Sequence, residues 1–289
     1  MEANEHAFEK FKHERPDIVF NVAECANGSS REAQIPAMLD MLQIPYTGSD
    51  PLTLTTCLDK ARTKEILSYH RIPTSKFLLI ESIDDLAYFN LNFPVMIKPV
   101  AEGSSKGIFN SSLVSNISEL NDRLKSNLEI YNQPFLVEEF LPGREFTVAL
   151  LGNNSDTEVL PIIEINLHEL PKELAPIYSY EAKWIADTRD NPLNIFSCPA
   201  KIDKDLRDKI ESIALKTYKV LRCRDWSRID IRLDADGEPN IIEINPLPGI
   251  LPDPKDNSCF PKAARVRGIS YEEMINKVLL TAAKRYNLL

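Results

Sequence analysis

The sequence predicts an α/β chain of two or three compact lobes that opens on part of a doubly wound layer, and three observations carry that prediction. A helix-spaced apolar set, Ala3, Ala7, Phe8 and Phe11, is followed past Pro16 by the apolar run 18–22, the pattern of a helix feeding a buried strand. The middle of the chain is a series of short β-type runs broken by Gly, Pro and Asn clusters. The last third reads as a long amphipathic helix, a hairpin and a closing helix. A length of 289 residues suits two or three lobes of ordinary size.

Taken in order, the run 18–22 is expected to be a strand, and the small, polar stretch 26–30 a loop. A second helix follows, with Ile35, Met38, Leu39 and Leu42 on its apolar face, and Pro45 to Ser49 closes this open α/β layer. A helix over 59–69 carries Lys60, Arg62, Lys64 and Glu65. Strands are expected at 77–80, 93–99, 134–140, 145–151 and 159–165, then a helix over 201–221 and antiparallel strands at 227–233 and 240–244 joined at 234–237, and last a helix over 271–285. A doubly wound lobe normally begins with its own strand and helix, whereas here a helix precedes the first strand, so the N-terminal lobe reads as incomplete.

Composition excludes several classes of function. Hydrophobic residues make up 43% and charged residues 27%, as in a globular protein, and the net charge of -9 gives no general attraction for nucleic acid or anionic membrane. No apolar run approaches the roughly 20 residues of a membrane span and the start is polar, which predicts a cytoplasmic protein. The five cysteines are scattered without a CxxC pair and the four histidines do not cluster, so neither a disulfide framework nor a transition-metal site is expected.

The chemistry concentrates in the hairpin SRIDIRLDADGEPNIIEIN. Strand alternation places Arg228, Asp230, Arg232 and Asp234 on one face and Ile229, Ile231 and Leu233 on the other, while the return strand is expected to put Ile241, Glu243 and Asn245 on one face. Asp230, Glu243 and Asn245 then offer two carboxylates and an amide oxygen, the donors a hard Mg²⁺ ion prefers, although a charged outer face would show the same alternation. The loop Glu102-Gly103-Ser104-Ser105-Lys106-Gly107 can close backbone N–H and hydroxyl groups over phosphates. It follows a strand carrying Lys98, whose ammonium in an apolar run needs an anion, most naturally a phosphate. The run 135–141 offers an apolar slot for an adenine ring, with Glu145 placed to accept from ribose hydroxyls; an ordinary sheet strand would read the same way.

The segments FPVMIKPVAEGSSKGI, VEEFLPGREFTVALLGN, IYSYEAKW, CPA and SRIDIRLDADGEPNIIEINPLPG, in this order and spacing, resemble the D-alanine–D-alanine ligase family of the ATP-grasp superfamily, along residues 17 to 285. The resemblance implies an α+β ATP-grasp fold, with ATP held between two α+β lobes, 56–138 and 139–289, behind an incomplete N-terminal lobe over 1–55. It implies that Lys60 and Lys98 bind ATP phosphates, Ser104 and Ser105 cover them, Glu138, Glu139 and Leu141 form the adenine hinge, and Glu145 holds the ribose. Lys183 would sit on a mobile loop that closes over the site, Asp230, Glu243 and Asn245 would hold two Mg²⁺ (or Mn²⁺) ions, Arg228 would stabilise the developing negative charge, and Ser258 would help bind the substrate carboxylate.

Four departures surround the amino-acid pocket. No residue supplies the N-terminal glutamate that in the family orients the first amine; Glu24 stands where many members carry histidine; Trp184 replaces a tyrosine whose hydroxyl helps order the serine loop; and the stretch after Asn245 is longer than usual. The implied activity is joining two amino acids, most directly two D-alanines for peptidoglycan of the cell wall, through an acyl phosphate, by an enzyme that is commonly a homodimer. The alternatives are a related ligase for another amino acid or peptide, or an ATP-binding protein impaired by its partial N-terminal lobe.

Overall fold

The computed structural model describes residues 2–25, 27–188 and 190–289. In the N-terminal lobe, α1 (Ala7–Glu14) buries Ala7 and Phe11 with Ile35 and Leu39 of α2 (Gln34–Leu42). The run 18–22 departs from expectation, because it is half-buried and pairs through one parallel bridge, Val19 with Tyr46. With so short a ladder the run has no sheet to be buried in. Ala26, the first residue of the predicted loop, lies outside the described residues. Two capped helices come next. Asp50 accepts from Thr53 N to start α3 (Pro51–Leu58), which the sequence reading did not place, and Asp59 accepts from Arg62 N to start α4 (Lys60–Tyr69), both at 2.9 Å.

The middle lobe is a four-stranded antiparallel sheet in the order β1-β4-β2-β3, from β1 (Phe77–Ile80), β2 (Val95–Pro99), β3 (Leu113–Val114) and β4 (Phe135–Glu139). Its back is covered by α5 (Ile117–Tyr131), which buries Leu120 and Leu124 against Ile80, Val95, Ile97 and Val137.

The C-terminal lobe holds β5 (Glu145–Leu151), β6 (Glu158–Val159), β7 (Ile163–Ile165) and β8 (Phe196–Ser197), then α6 (Lys204–Val220), β9 (Trp226–Leu233) and β10 (Pro239–Asn245). The sheet order is β10-β9-β5-β7-β8, with β6 on β5. The single strand expected over 159–165 is two, because Pro161 has no N–H to give a ladder. One face packs Phe146, Val148, Ile229 and Ile231 on Ile210 and Ala214 of α6. The other packs on α7 (Cys259–Val266), also not foreseen, and α8 (Tyr271–Arg285).

The hairpin keeps the predicted alternation on β9 but breaks it on β10, where the register shifts between Ile241 and Glu243. Ile241 is therefore buried in the core, while Ile242 and Glu243 both line the cavity. Glu243 still pairs with Asp230 and Asn245 with Arg228.

The lobes are tied at Trp226, whose buried indole meets Phe20 and Phe260 edge-on at 5.6 and 5.5 Å, contacts of about 0.5–1.5 kcal/mol each beyond area burial. Beside it the buried Asp225 carboxylate accepts from Gly48 N at 2.8 Å, Asn153 Nδ2 at 2.7 Å and Arg285 Nη2 at 2.8 Å. No helix among the described residues is long and apolar enough to cross a membrane.

Candidate functional site

Between the two sheets lies a cavity of about 810 Å³. Every residue assigned a role from the sequence lines it, with the exception of Lys60. A second, more polar cavity of about 1010 Å³ continues from it under the N-terminal lobe and shares Glu24, Ser104, Lys183 and Arg228.

At the inner end, β2 and β4 are paired so that Lys98 and Glu138 lie close, and the Lys98 ammonium meets Glu138 Oε1 in a short ion pair. The buried lysine is thus neutralised by a carboxylate. Lys64, one helical turn beyond Lys60 on α4, binds Glu138 Oε2 at 2.8 Å, and Ser75 Oγ donates to the same oxygen at 3.0 Å. Burial alone would raise the Glu138 carboxyl, but the two lysines hold it down at about 2. Its side chain therefore positions Lys98, which leaves the hinge function to backbone groups. Glu139 is likewise occupied, since Oε1 accepts from Asn92 N at 2.9 Å and Nδ2 at 2.8 Å. Leu141 lines the apolar slot together with Met96 and Phe140.

Glu145 is half-buried at the start of β5 and is bound by Arg232 Nη1 at 3.1 Å. Burial raises its carboxyl despite that cation, with Asp230 adding repulsion. Arg232 had no role in the sequence reading, although alternation put it on the Asp230 face. Its guanidinium also donates to Gly143 O and Pro176 O and stacks 4.5 Å over Phe140.

The hairpin carboxylates are neutralised by neighbouring cations. Lys60 Nζ, donating also to Glu102 O in a short contact, lies 3.0 Å from Glu243 Oε1. Burial raises the Glu243 carboxyl, but Lys60 and Lys98 outweigh it and leave it lowered. Arg228 grips Asp230 through Nε at 3.1 Å and Nη2 at 2.9 Å, and Asp230 also accepts from Thr147 Oγ1 at 2.6 Å and Asn245 Nδ2 at 3.2 Å. Two carboxylates on rigid strands suit a hard divalent cation, and turning the Asn245 amide would present its oxygen to the same point. The donor set fits Mg²⁺, with Lys60 and Arg228 standing as its counter-charges.

The serine loop is shaped by consecutive left-handed residues, Ser104 (φ 55°) and Ser105 (φ 59°), a conformation that turns successive N–H groups to one side. It is latched to the segment carrying Lys183. Ser105 Oγ donates to Tyr178 O at 3.0 Å, Tyr180 N to Ile108 O at 2.7 Å, and Trp184 Nε1 to Ser104 O at 2.9 Å. The ordering expected to be lost with the tyrosine hydroxyl is supplied by the indole N–H, and Lys183 lies 5.6 Å over the same ring. Burial, then repulsion from Arg228, lowers the Lys183 ammonium.

Ser258 is engaged, donating to Gly249 O at 3.0 Å and accepting from Leu251 N at 3.2 Å, so its hydroxyl closes the long segment 246–257 in place of reaching freely for a carboxylate. Glu24 stays exposed at the mouth of both cavities. Cys259, not singled out from the sequence, lines the cavity with its thiol pushed up to about 11 by burial.

The chain is similar over most of its length to known proteins. The family model described as D-ala D-ala ligase C-terminus matches residues 71–280. An uncharacterised protein, y4sG of Sinorhizobium fredii, is 38% identical over 273 residues, 93% of this chain and 75% of its own length. The D-alanine–D-alanine ligase of Carboxydothermus hydrogenoformans is 35% identical over 281 residues, 94% of this chain and 83% of its own length. The crystal structure of the D-alanine–D-alanine ligase of Bacillus anthracis superposes with a TM-score of 0.74 at 25% identity, covering 98% of this chain and 85% of that one.

Proposed function

Because the chain belongs to the D-alanine–D-alanine ligase family, we propose that the cavity between its two sheets performs the family's chemistry, joining the carboxylate of one D-alanine to the amine of a second at the expense of ATP. The fold is the ATP-grasp fold and the protein is an ATP-dependent ligase. The carboxylate attacks the γ-phosphorus of ATP, releasing ADP and forming an acyl phosphate. The second amine then attacks the acyl carbon, a C–N bond forms, the C–O bond to phosphate breaks, and phosphate and the amine proton leave.

The observation that carries this reading is the pairing of each acidic group with a cation that phosphate would also attract: Lys60 with Glu243, Lys98 with Glu138, Arg228 with Asp230. Asp230, Glu243 and Asn245 would hold Mg²⁺, which would neutralise charge on the transferring phosphoryl group. Lys60 and Lys98 would bind the phosphates of ATP, with Ser104 and Ser105 N–H groups covering them. The hinge at 138–141 would take the adenine through its backbone and Glu145 the ribose. Arg228 and Lys183 would neutralise the developing acyl phosphate, with transition-state positioning as the main source of rate. A homodimer assembled through the N-terminal lobe and a lobe division near 55 and 138 complete the reading.

Phosphate release from Mg-ATP with D-alanine as sole amino acid tests it, and D-alanine-dependent ADP formation is the expected result. Release that no amino acid stimulates would overturn the ligase assignment for this chain. Asp230→Asn should reduce turnover by at least about a hundredfold, since it removes a metal-ligand charge and leaves Arg228 unpaired; unchanged turnover would remove Asp230 from the metal site.

A further inference from the structure

Asn245, the last residue of β10, pairs with Arg228, whereas Arg232, four residues further along β9, stacks on Phe140 of the adenine slot, so the chain that follows Asn245 leaves at the Arg228 end. The cavity lining contributed there includes Leu247, Pro248, Ile250 and Leu251, and Val22 and Trp184 line the same cavity. Three of these large apolar side chains leave more than half of their surface open, Val22 at 52%, Trp184 at 54% and Leu251 at 56%. Open apolar surface of this size beside a reaction centre marks a contact waiting for an apolar partner.

The wall is held in shape by its own bonds. Tyr271 OH donates to Ile250 O at 2.9 Å, Leu251 N to Ser258 Oγ at 3.2 Å, and Asn257 Nδ2 to Asp187 Oδ1 at 2.9 Å and Leu193 O at 3.0 Å. Asp187 in turn accepts from Tyr178 OH at 2.7 Å and Leu193 N at 2.8 Å, so its charge is spent on the scaffold. Phe20, two residues before Val22, packs against the same apolar cluster as Ile250, which brings the N-terminal run and the long segment to one place. A methyl group would leave nearly all of this surface in water, whereas a branched or aromatic side chain would cover it.

We propose that this wall is a side-chain subsite for the amine-bearing substrate, and that the amino acid it selects carries a large apolar side chain of the leucine or phenylalanine class. The proposal rests on the ligase reading above and replaces its second D-alanine with a bulkier preferred acceptor. The acyl phosphate would form beside Arg228 and Lys183, and the segment that follows Asn245 borders that point with Leu247 to Leu251, so an amine arriving there meets the apolar wall. Its nitrogen attacks the acyl carbon, phosphate departs with the former carboxylate oxygen, and the product is a dipeptide with the bulky residue at its C-terminal position.

The test pairs turnover with binding. ADP formation is measured for the full chain with Mg-ATP and D-alanine alone, then with leucine or phenylalanine of either configuration added, and the dipeptide is sequenced by mass spectrometry. A mixed dipeptide ending in the bulky residue, formed with kcat/KM about tenfold or more above that for alanine as acceptor, is the expected result. Leu251→Ser should cut that preference about tenfold, mainly through KM for the bulky acceptor. Of the two tryptophans, Trp226 is fully buried, so emission from Trp184 reports on the wall. With Mg-ATP present, leucine or phenylalanine should shift it to the blue at concentrations where alanine does not. Should no amino acid stimulate ADP formation while that shift persists, the ligase reading falls and the apolar subsite stands. Turnover confined to alanine, or emission indifferent to side-chain size, overturns the subsite.

Discussion

Glu138, expected in the adenine hinge, lines the cavity with its side chain engaged by two cations. Its carboxylate lies between Lys64 and Lys98 with almost no water, and the two cations keep it ionised with a carboxyl at about 2. Glu138→Gln would leave two buried ammonium groups without their counter-charge, at a cost of about 3–5 kcal/mol in urea unfolding, far beyond the loss of one hydrogen bond. The pH dependence follows from the same geometry. The folded carboxyl is depressed below its unfolded value of about 4.3, so its contribution is complete above that value and is lost as pH falls through about 2. Acid titration of stability should therefore show a loss between about pH 5 and pH 2 that Glu138→Gln abolishes. Lys64 was visible beside Lys60 in DKARTK, and the i,i+4 spacing would have put both on one face of α4; Arg232 was visible in the alternation of β9. Both were missed because a cation that serves another side chain carries no mark distinguishing it from a solvated one.

At the scale of elements, helices and strands with a clear period were legible: α8 was expected over 271–285 and is found there, and β5 matches its expected run. What escaped were features that periodicity cannot encode. The bulge in β10 turns Ile242 and Glu243 to the same cavity against strict alternation, and the run 18–22 has strand composition but only one bridge. The Trp184 bond to Ser104 joins residues 80 apart in sequence, beyond any local pattern. That bond makes the segment Glu181–Ala186 and the serine loop one closing unit. Trp184→Phe keeps the ring and removes the donor, so KM for ATP should rise about fivefold, as expected for one net hydrogen bond of about 1 kcal/mol, with little change in thermal stability. An unchanged KM would show that the latch does not assist nucleotide capture.

For the whole molecule, the first lobe is held to the C-terminal lobe through a buried polar anchor as well as through apolar contact. Asp225 joins Gly48, Asn153 and Arg285, residues from the first lobe, the turn after β5 and the last helix. Asp225→Ala should lower stability by about 3 kcal/mol or more by stranding the Arg285 guanidinium, and hydrogen exchange should localise the loosening to the N-terminal lobe. If the exchange pattern were unchanged there, the anchor would be local to the C-terminal lobe.

The position of Arg285 in the chain has a further consequence during synthesis. Domains generally fold as units in the order in which they emerge from the ribosome, yet the carbonyls of the turn at Tyr46 and Gly48 receive their guanidinium donor only when residue 285 is free to fold back. The lobe that precedes both sheets is thus locked only after they have formed, and a nascent chain stalled before α8 would carry a docked hairpin and an unsecured turn at 46–48.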